Sequence, residues 1–291
     1  MAQSPVWLIT GASAGLGLAL ARYVLTQGHR VVATSRNLSK AGDVVGELEG
    51  MGAKWLTLDT GSSDSTIATA MQEAEGMFGQ IDIVVNNAAY CVMGSTEDIH
   101  AQEVEDQMRV NFLGPLSIIR ALLPGMRKRR SGVIVNISSI QGVAPAPANG
   151  IYAASKAALE AATDGLRVEL EPFGIDVWLV LPGGFRTQFA NAGVIIEPSE
   201  PYAASDHPVA KRLGFVKQLG AGAAIGDPNR AAQLMFDMVT GQGDTGKLVR
   251  EKEMLRVFIG SDSWRLANLK VKDAAKTIDS SREMAATTDF Q

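Results

Sequence analysis

Tyr152 and Lys156 stand four residues apart in Tyr152-Ala153-Ala154-Ser155-Lys156. They fall at the start of an alanine-rich helical pattern, so both side chains share one helix face. A free phenol titrates near ~10 and exchanges protons poorly at neutral pH, whereas a nearby ammonium stabilises the phenolate and brings proton transfer closer to the working range. Alone, such a pair is common and usually structural. Ser139 lies thirteen positions earlier, just past a β-branched run, and the carboxyl ends of strands in a doubly wound sheet are where ligands sit. A second constellation is Thr10-Gly11-Ala12-Ser13-Ala14-Gly15-Leu16-Gly17, between an apolar run and a helix. Glycines there let backbone approach a pyrophosphate, and the helix N-terminus adds free N–H groups and a positive dipole.

The elements carrying these groups alternate. Val6–Thr10, Arg30–Thr34, Lys54–Leu58, Ile81–Val85, Val133–Ile137 and Ile175–Val180 read as strands, with Leu248-Val249 as the core of a short seventh. Near-continuous apolar strands separated by helices predict an α/β fold, a doubly wound parallel sheet in a Rossmann-like three-layer sandwich. The carboxyl ends of its strands then gather the glycine turn, Ser139 and the Tyr/Lys helix at one edge. The second strand ends Thr34-Ser35-Arg36, with an uncharged residue where NAD-binding folds carry a carboxylate. A carboxylate repels a 2′-phosphate and an arginine pairs with it, so Ser35 and Arg36 predict NADP(H) over NAD(H).

Composition narrows the classes further. The chain has 291 residues, 46% hydrophobic and 20% charged, with a net charge of −4, which is globular and poorly suited to nucleic acid. The short basic run Arg127–Arg130 fits a helix C-terminus. One cysteine, Cys91, and the scattered His29, His100 and His207 predict no internal disulfide and no metal site. Cys91 reads as a packed thiol. No stretch is long enough to span a bilayer and no basic leader opens the chain, so a cytoplasmic protein is expected. A single domain over 1–291 is expected, with an irregular substrate lid at 183–226 and a helical tail at 261–291.

Together these residues make the chain similar to the short-chain dehydrogenase/reductase family, in its compact single-domain branch, over roughly Val6 to Val249. The markers are Thr10-Gly11-x-x-x-Gly15-x-Gly17, Asp59, Asn86-Asn87-Ala88-Ala89, Asn111, Ser139, Tyr152, Lys156 and Pro182-Gly183-x-x-x-Thr187. The resemblance implies that Tyr152 is the general acid for carbonyl reduction or the base for alcohol oxidation. Lys156 would hold the nicotinamide ribose hydroxyls and depress the tyrosine pKa. Ser139 would bond the substrate oxygen, and Asn111 would support a proton-relay water. The same resemblance gives the coenzyme Gly11, Ser13, Gly15, Leu16, Gly17, Ser35, Arg36, Asp59 at the adenine, Asn87 and Ala88 along the groove, and Pro182, Gly183 and Thr187 near the carboxamide. Two departures stand out: Ala14 lacks the basic side chain of many NADP-preferring members, and Ala89 replaces a glycine. The Ser138-Ser139 pair leaves two hydroxyls to choose between, and the family spacing selects Ser139.

The segment from Gly183 to Gly226 mixes Phe185, Phe189, Val194, Ile195, Ile196, Tyr202, Leu213 and Phe215, which predicts an apolar wall and a hydrophobic small-molecule substrate. The chain also resembles the subgroup of 17β-hydroxysteroid and retinol dehydrogenases, implying a steroid-, retinoid- or polyketide-like ketone, aldehyde or alcohol, and a homodimer or homotetramer. The reading from another class is a coenzyme-binding protein without redox turnover, a sensor or a cyclase-type catalyst. Retention of Asn111, Ser139, Tyr152 and Lys156 argues against it.

Overall fold

A computed structural model describes residues 4–288 and 290; residues 1–3, 289 and 291 of the expected domain lie outside the described residues. In chain order the elements are β1 (Val6–Ile9), α1 (Gly15–Thr26), β2 (Arg30–Ser35), α2 (Asp43–Gly50), β3 (Lys54–Thr57), α3 (Asp64–Phe78), β4 (Ile83–Asn86) and a two-residue β5 (Val92–Met93). Then come α4 (Ala101–Met108), α5 (Gly114–Arg129), β6 (Gly132–Ile137), α6 (Ile140–Val143), α7 (Gly150–Leu170) and β7 (Ile175–Pro182). The last are α8 (Phe189–Ala192), β8 (Val194–Ile195), α9 (Pro208–Gln218), α10 (Pro228–Thr240), α11 (Gly243–Glu251), β9 (Arg256–Ile259) and α12 (Ser261–Ala286).

Seven strands form one parallel sheet in the order β3-β2-β1-β4-β6-β7-β9. Strand order reverses between β1 and β4, so the chain leaves these neighbours in opposite directions and opens a crevice at their carboxyl ends. This is the expected doubly wound, Rossmann-like architecture. All four residues of β1 are buried, and their alternation splits the core. Trp7 and Ile9 face α1 and α10 with Leu20, Val24, Met235 and Phe236, while Val6 and Leu8 face α3 and α5 with Ile67, Met71, Ile118 and Leu122. The Trp7 and Phe236 rings stack with centroids 5.7 Å apart. Fully burying a side chain of this kind contributes roughly 1.5–3 kcal/mol, so the two layers fix the sheet before any polar contact is considered.

Two expectations are corrected. Leu248-Val249 is not a strand but part of α11, where Val249 is buried and Leu248 exposed. Its two apolar residues are one turn of an amphipathic helix; the seventh strand is Arg256–Ile259, which pairs with β7. The segment 183–226 is likewise not irregular. It holds α8, β8 and α9, and β8 pairs with β5 in a small separate parallel sheet. The tail is helical as expected. Among the described residues no helix is long and apolar enough to cross a membrane.

Candidate active site

The glycine turn is latched to the end of β4. Thr10 Oγ1 accepts the backbone N–H groups of Asn87 and Ala88 at 2.9 Å each, and Asn87 Nδ2 donates to the carbonyls of Thr10 and Gly11 at 2.9 and 3.3 Å. A Cβ on Gly17 would meet Asn87 Nδ2 and Gly11 O at 2.4 Å, so only glycine fits that approach. Gly11 and Gly15 have φ of 65° and 57°, the left-handed region that favours glycine. The N-cap of α1 is Ala14, which offers no capping side chain, and no acidic residue sits in the first turn. Those N–H groups and the dipole therefore face outward uncompensated, a cradle suited to a pyrophosphate. Thr187 leans over it, 3.3 Å from where a Gly15 Cβ would sit.

At the adenine end, Ser35 is buried and exchanges contacts of 3.3 Å with the Asn37 backbone. Arg36 is exposed and makes no ion pair among the described residues. Asp59 is exposed, with one carboxylate oxygen accepting the Gly61 N–H at 2.8 Å. Ser13 lies half-exposed on the turn between these groups, and Pro182 and Gly183 close the far side of the crevice at the end of β7.

The catalytic candidates converge where β6 meets α7. Tyr152, in the first turn of α7, is buried, and Ser139, whose Oγ accepts the Gln141 N–H at 3.2 Å, lies close enough to the phenol to oppose the rise in its pKa. Lys156, one turn on, is buried, donates to the Ile137 carbonyl at 2.9 Å, and sits 5.9 Å from the Tyr152 ring centroid. The two adjacent serines separate cleanly. Ser138 donates to Glu160 Oε1 at 2.5 Å, which leaves Ser139 as the hydroxyl on the Tyr152 side. Burial pushes the Tyr152 phenol above its ordinary value, with Cys91 adding to the rise and only the Ser139 hydrogen bond opposing it. The depression expected from Lys156 is not seen, and desolvation sets the direction of the shift. Burial lowers Lys156 to about 8, against the pull of Cys91 and Glu160. Burial also pushes the Cys91 thiol up to about 12, so it is a packed neutral thiol.

Asn111 is fully buried in a π-helical turn, Arg109–Leu113, spliced between α4 and α5. Its Nδ2 donates to Tyr90 O at 2.7 Å and to Ser155 Oγ at 3.0 Å, while its Oδ1 accepts the Tyr90 N–H at 2.8 Å. Ser155 in turn donates to the Tyr152 carbonyl at 2.7 Å. Asn111 therefore ties the segment after β4 to α7, and π-turns of this kind recur at functional sites.

With this geometry in hand, comparison with known proteins is informative. A family model described as short chain dehydrogenase matches residues 5–194. The chain belongs to the short-chain dehydrogenase/reductase family. An oxidoreductase, claN, from Passalora fulva is 42% identical over 66% of this chain and 87% of its own length. A 3-ketodihydrosphingosine reductase from Bacteroides thetaiotaomicron is 39% identical over 70% of this chain and 73% of its own. A short-chain dehydrogenase from Streptomyces avermitilis superimposes with a TM-score of 0.84 at 30% identity, covering 98% of both chains. Two structures share the fold at lower identity. One, from Sphingobium yanoikuyae in complex with NADPH, has a TM-score of 0.69 at 21% identity over 99% of this chain and 97% of that one. The other, from Burkholderia phymatum in complex with NAD, has a TM-score of 0.78 at 20% identity over 94% and 95%.

In this short-chain dehydrogenase/reductase the structure brings Phe189 and Leu213, read from the sequence as apolar wall, to Tyr152 and adds Met93, Val209, Val216, Arg212, Asp262 and Glu160, which the sequence reading missed. Tyr152 packs in a small apolar cluster with Cys91, Met93, Val209, Leu213 and Val216, three of them on α9, and the Phe189 ring centroid lies 6.0 Å from that of Tyr152. Arg212, on the same helix, donates from Nε to Asn149 Oδ1 at 3.1 Å, fastening α9 to the N-cap of α7. Asp262, at the start of α12, accepts the Gly184 N–H at 2.7 Å and packs so closely on Gly183 that a Cβ there would collide with it. Glu160 is buried between Ser138 and Arg256, whose Nε lies 3.8 Å from Oε2. Only Glu160, four residues past Lys156 on the same helix face, left a trace in the spacing.

Proposed function

We propose that this chain is an NADP(H)-dependent oxidoreductase that interconverts a carbonyl and an alcohol on a hydrophobic small molecule of steroid-, retinoid- or polyketide-like character. The observation carrying this reading is the buried Tyr152 phenol, with Ser139 beside it, Lys156 behind it and the apolar face of α9 in front. The uncapped α1 N-terminus with Gly11, Ser13, Gly15, Leu16 and Gly17 would hold the pyrophosphate, and Ser35 with Arg36 the 2′-phosphate. Asp59 would contact adenine, Asn87 and Ala88 would line the groove, and Pro182, Gly183 and Thr187 would face the carboxamide. When bound, the coenzyme supplies or accepts the hydride.

The chain's own residues handle the proton. Desolvation keeps the phenol protonated at neutral pH, which makes Tyr152 an acid held ready for a carbonyl oxygen. Ser139 donates to the same oxygen and stabilises the alkoxide as it forms. Lys156, charged below its value of about 8, holds positive potential next to the phenolate left behind, and Asn111 fixes the backbone that aims Tyr152. In a cell rich in NADPH the direction is reduction. The Gly183–Gly226 segment, with α9 against Tyr152, serves as the substrate lid and excludes water from the reacting oxygen.

The test is NADPH consumption against a panel of hydrophobic ketones and aldehydes. Tyr152→Phe should lower turnover by roughly 10²–10⁴-fold while leaving NADPH affinity unchanged. Turnover equal to the parent enzyme removes the mechanism, and a panel in which only sugars or small hydroxy acids react removes the hydrophobic substrate.

A further inference from the structure

The last element, α12, is docked only at its beginning. Ser263 is fully buried with its hydroxyl donating to Leu181 O at 2.7 Å, and Ala267 is buried one turn later. Every residue from Val271 to Ser280 is exposed, and the helix runs on to Ala286. The free part, 271–286, projects about 24 Å at the usual rise. A helix of that length without tertiary contact is marginal in water. Its apolar face has nevertheless not ended where the domain ends. Viewed down the axis, Ala267 lies on one stripe with Trp264, Val271, Ala274, Ala275, Ile278 and Ala285, interrupted by Arg282 at the angle of Trp264, so the buried face continues beyond the body among the described residues. Trp264, Val271 and Ile278 follow one another at intervals of seven and are 63%, 62% and 70% exposed. Scattered apolar residues on a surface need no explanation, but a heptad-spaced stripe in register with a docked one does.

We propose that the free half of α12 is a self-association surface that pairs antiparallel with the same helix of a second copy of this chain. Charge selects the partner and the direction. Lys272 follows Val271 and Asp279 follows Ile278 on the same flank of the stripe. Neither makes an ion pair within its own chain among the described residues, whereas Lys270 lies 4.0 Å from Asp273 on the opposite side. An antiparallel pair that sets Val271 against Ile278 of the copy sets Lys272 against Asp279 twice, by symmetry. In a parallel pair the two copies of this flank lie on opposite sides of the seam, so Lys272 and Asp279 do not meet. The alanines at 274 and 275 let the two backbones approach closely, and the opposite ends keep the two bodies clear of each other. A lipid surface is a poorer match: from Ser261 to Ala286 five cations face four carboxylates, without the cationic excess of a membrane-surface helix. This inference is independent of the reaction the site carries out.

The experiment mixes two forms of the full-length chain, one Lys272→Cys and one Asp279→Cys, and treats the mixture with a short bis-maleimide. Both positions are exposed, and the native Cys91 is buried, so reaction is confined to the introduced thiols. Mixed 272–279 dimers should exceed either like-with-like product, and adding Val271→Asp and Ile278→Asp to both chains should abolish them. Like-with-like products in excess overturn the antiparallel pairing. Absence of any cross-link overturns self-association through α12, as does a monomer that co-sediments with phosphatidylserine vesicles and is released by Ile278→Asp.

Discussion

Around the glycine turn, the parts lie within a few residues of a strand end and are held by backbone. The turn after β1 is latched by Thr10 and Asn87 across neighbouring strands, and a Gly17 Cβ would stand 2.4 Å from its neighbours. Around Tyr152 the parts come from far apart in sequence. Phe189, Val209, Leu213 and Val216 reach Tyr152 from the 183–226 segment, and the fastening is one bond from Arg212 to Asn149. The first region has no room to vary, whereas the second is apolar surface that can be re-cut without touching the turn.

The comparison can be broken at its rigid end first. Gly17→Ala should cost about 3 kcal/mol by overpacking against Asn87 and Gly11, read as a lowered urea midpoint together with lost coenzyme binding. A variant as stable as the parent would mean that the turn yields. Arg36→Ala should raise KM for NADPH by roughly 10–100-fold and leave that for NADH unchanged, because one charge-assisted pair is lost. An equal change for both coenzymes would end the case for 2′-phosphate recognition.

Lys156→Met sharpens the contrast between stability and function. The unfolded lysine titrates near ~10.4 and the folded one near about 8, so between these values the unfolded chain binds more protons and stability rises with pH. Below about 8 the penalty is fully present. The variant should therefore be inactive yet more stable than the parent by about 3 kcal/mol at pH 7, with the gain fading to nothing near ~10.4 in a melting series. A variant less stable at every pH would mean that the bond to Ile137 O outweighs desolvation. The smallest effect belongs to the lid: Arg212→Met should raise substrate KM about threefold with kcat unchanged, the loss of one partly exposed hydrogen bond. A fall in kcat alone would move Arg212 out of the lid and into the reacting centre.

Most of the sheet was legible because its strands are short, fully apolar and bounded by turns. Where that signal shrank to two residues it misled, since Leu248-Val249 is equally compatible with one face of α11. The 183–226 segment looked irregular because its glycines and prolines mask three short elements whose partners lie elsewhere. The π-turn around Asn111 left no local mark, since its geometry is imposed by bonds to Tyr90 and Ser155. The choice between Ser138 and Ser139 rested on spacing in the sequence, and the structure adds a reason, because Glu160 engages the first hydroxyl.

By itself, the sequence determined the strand order's raw material, the glycine turn, the Tyr152/Lys156 helix face and the charge character at Arg36, all of which follow from short-range sterics and periodicity. Tertiary structure alone decided the protonation of the site and the reach of α12. Desolvation depends on what surrounds a group from every direction, so the expected lowering of the Tyr152 pKa became a rise. Whether a helical stripe is core or free surface likewise depends on where the rest of the chain ends beneath it, and beneath Val271 and Ile278 it has already ended.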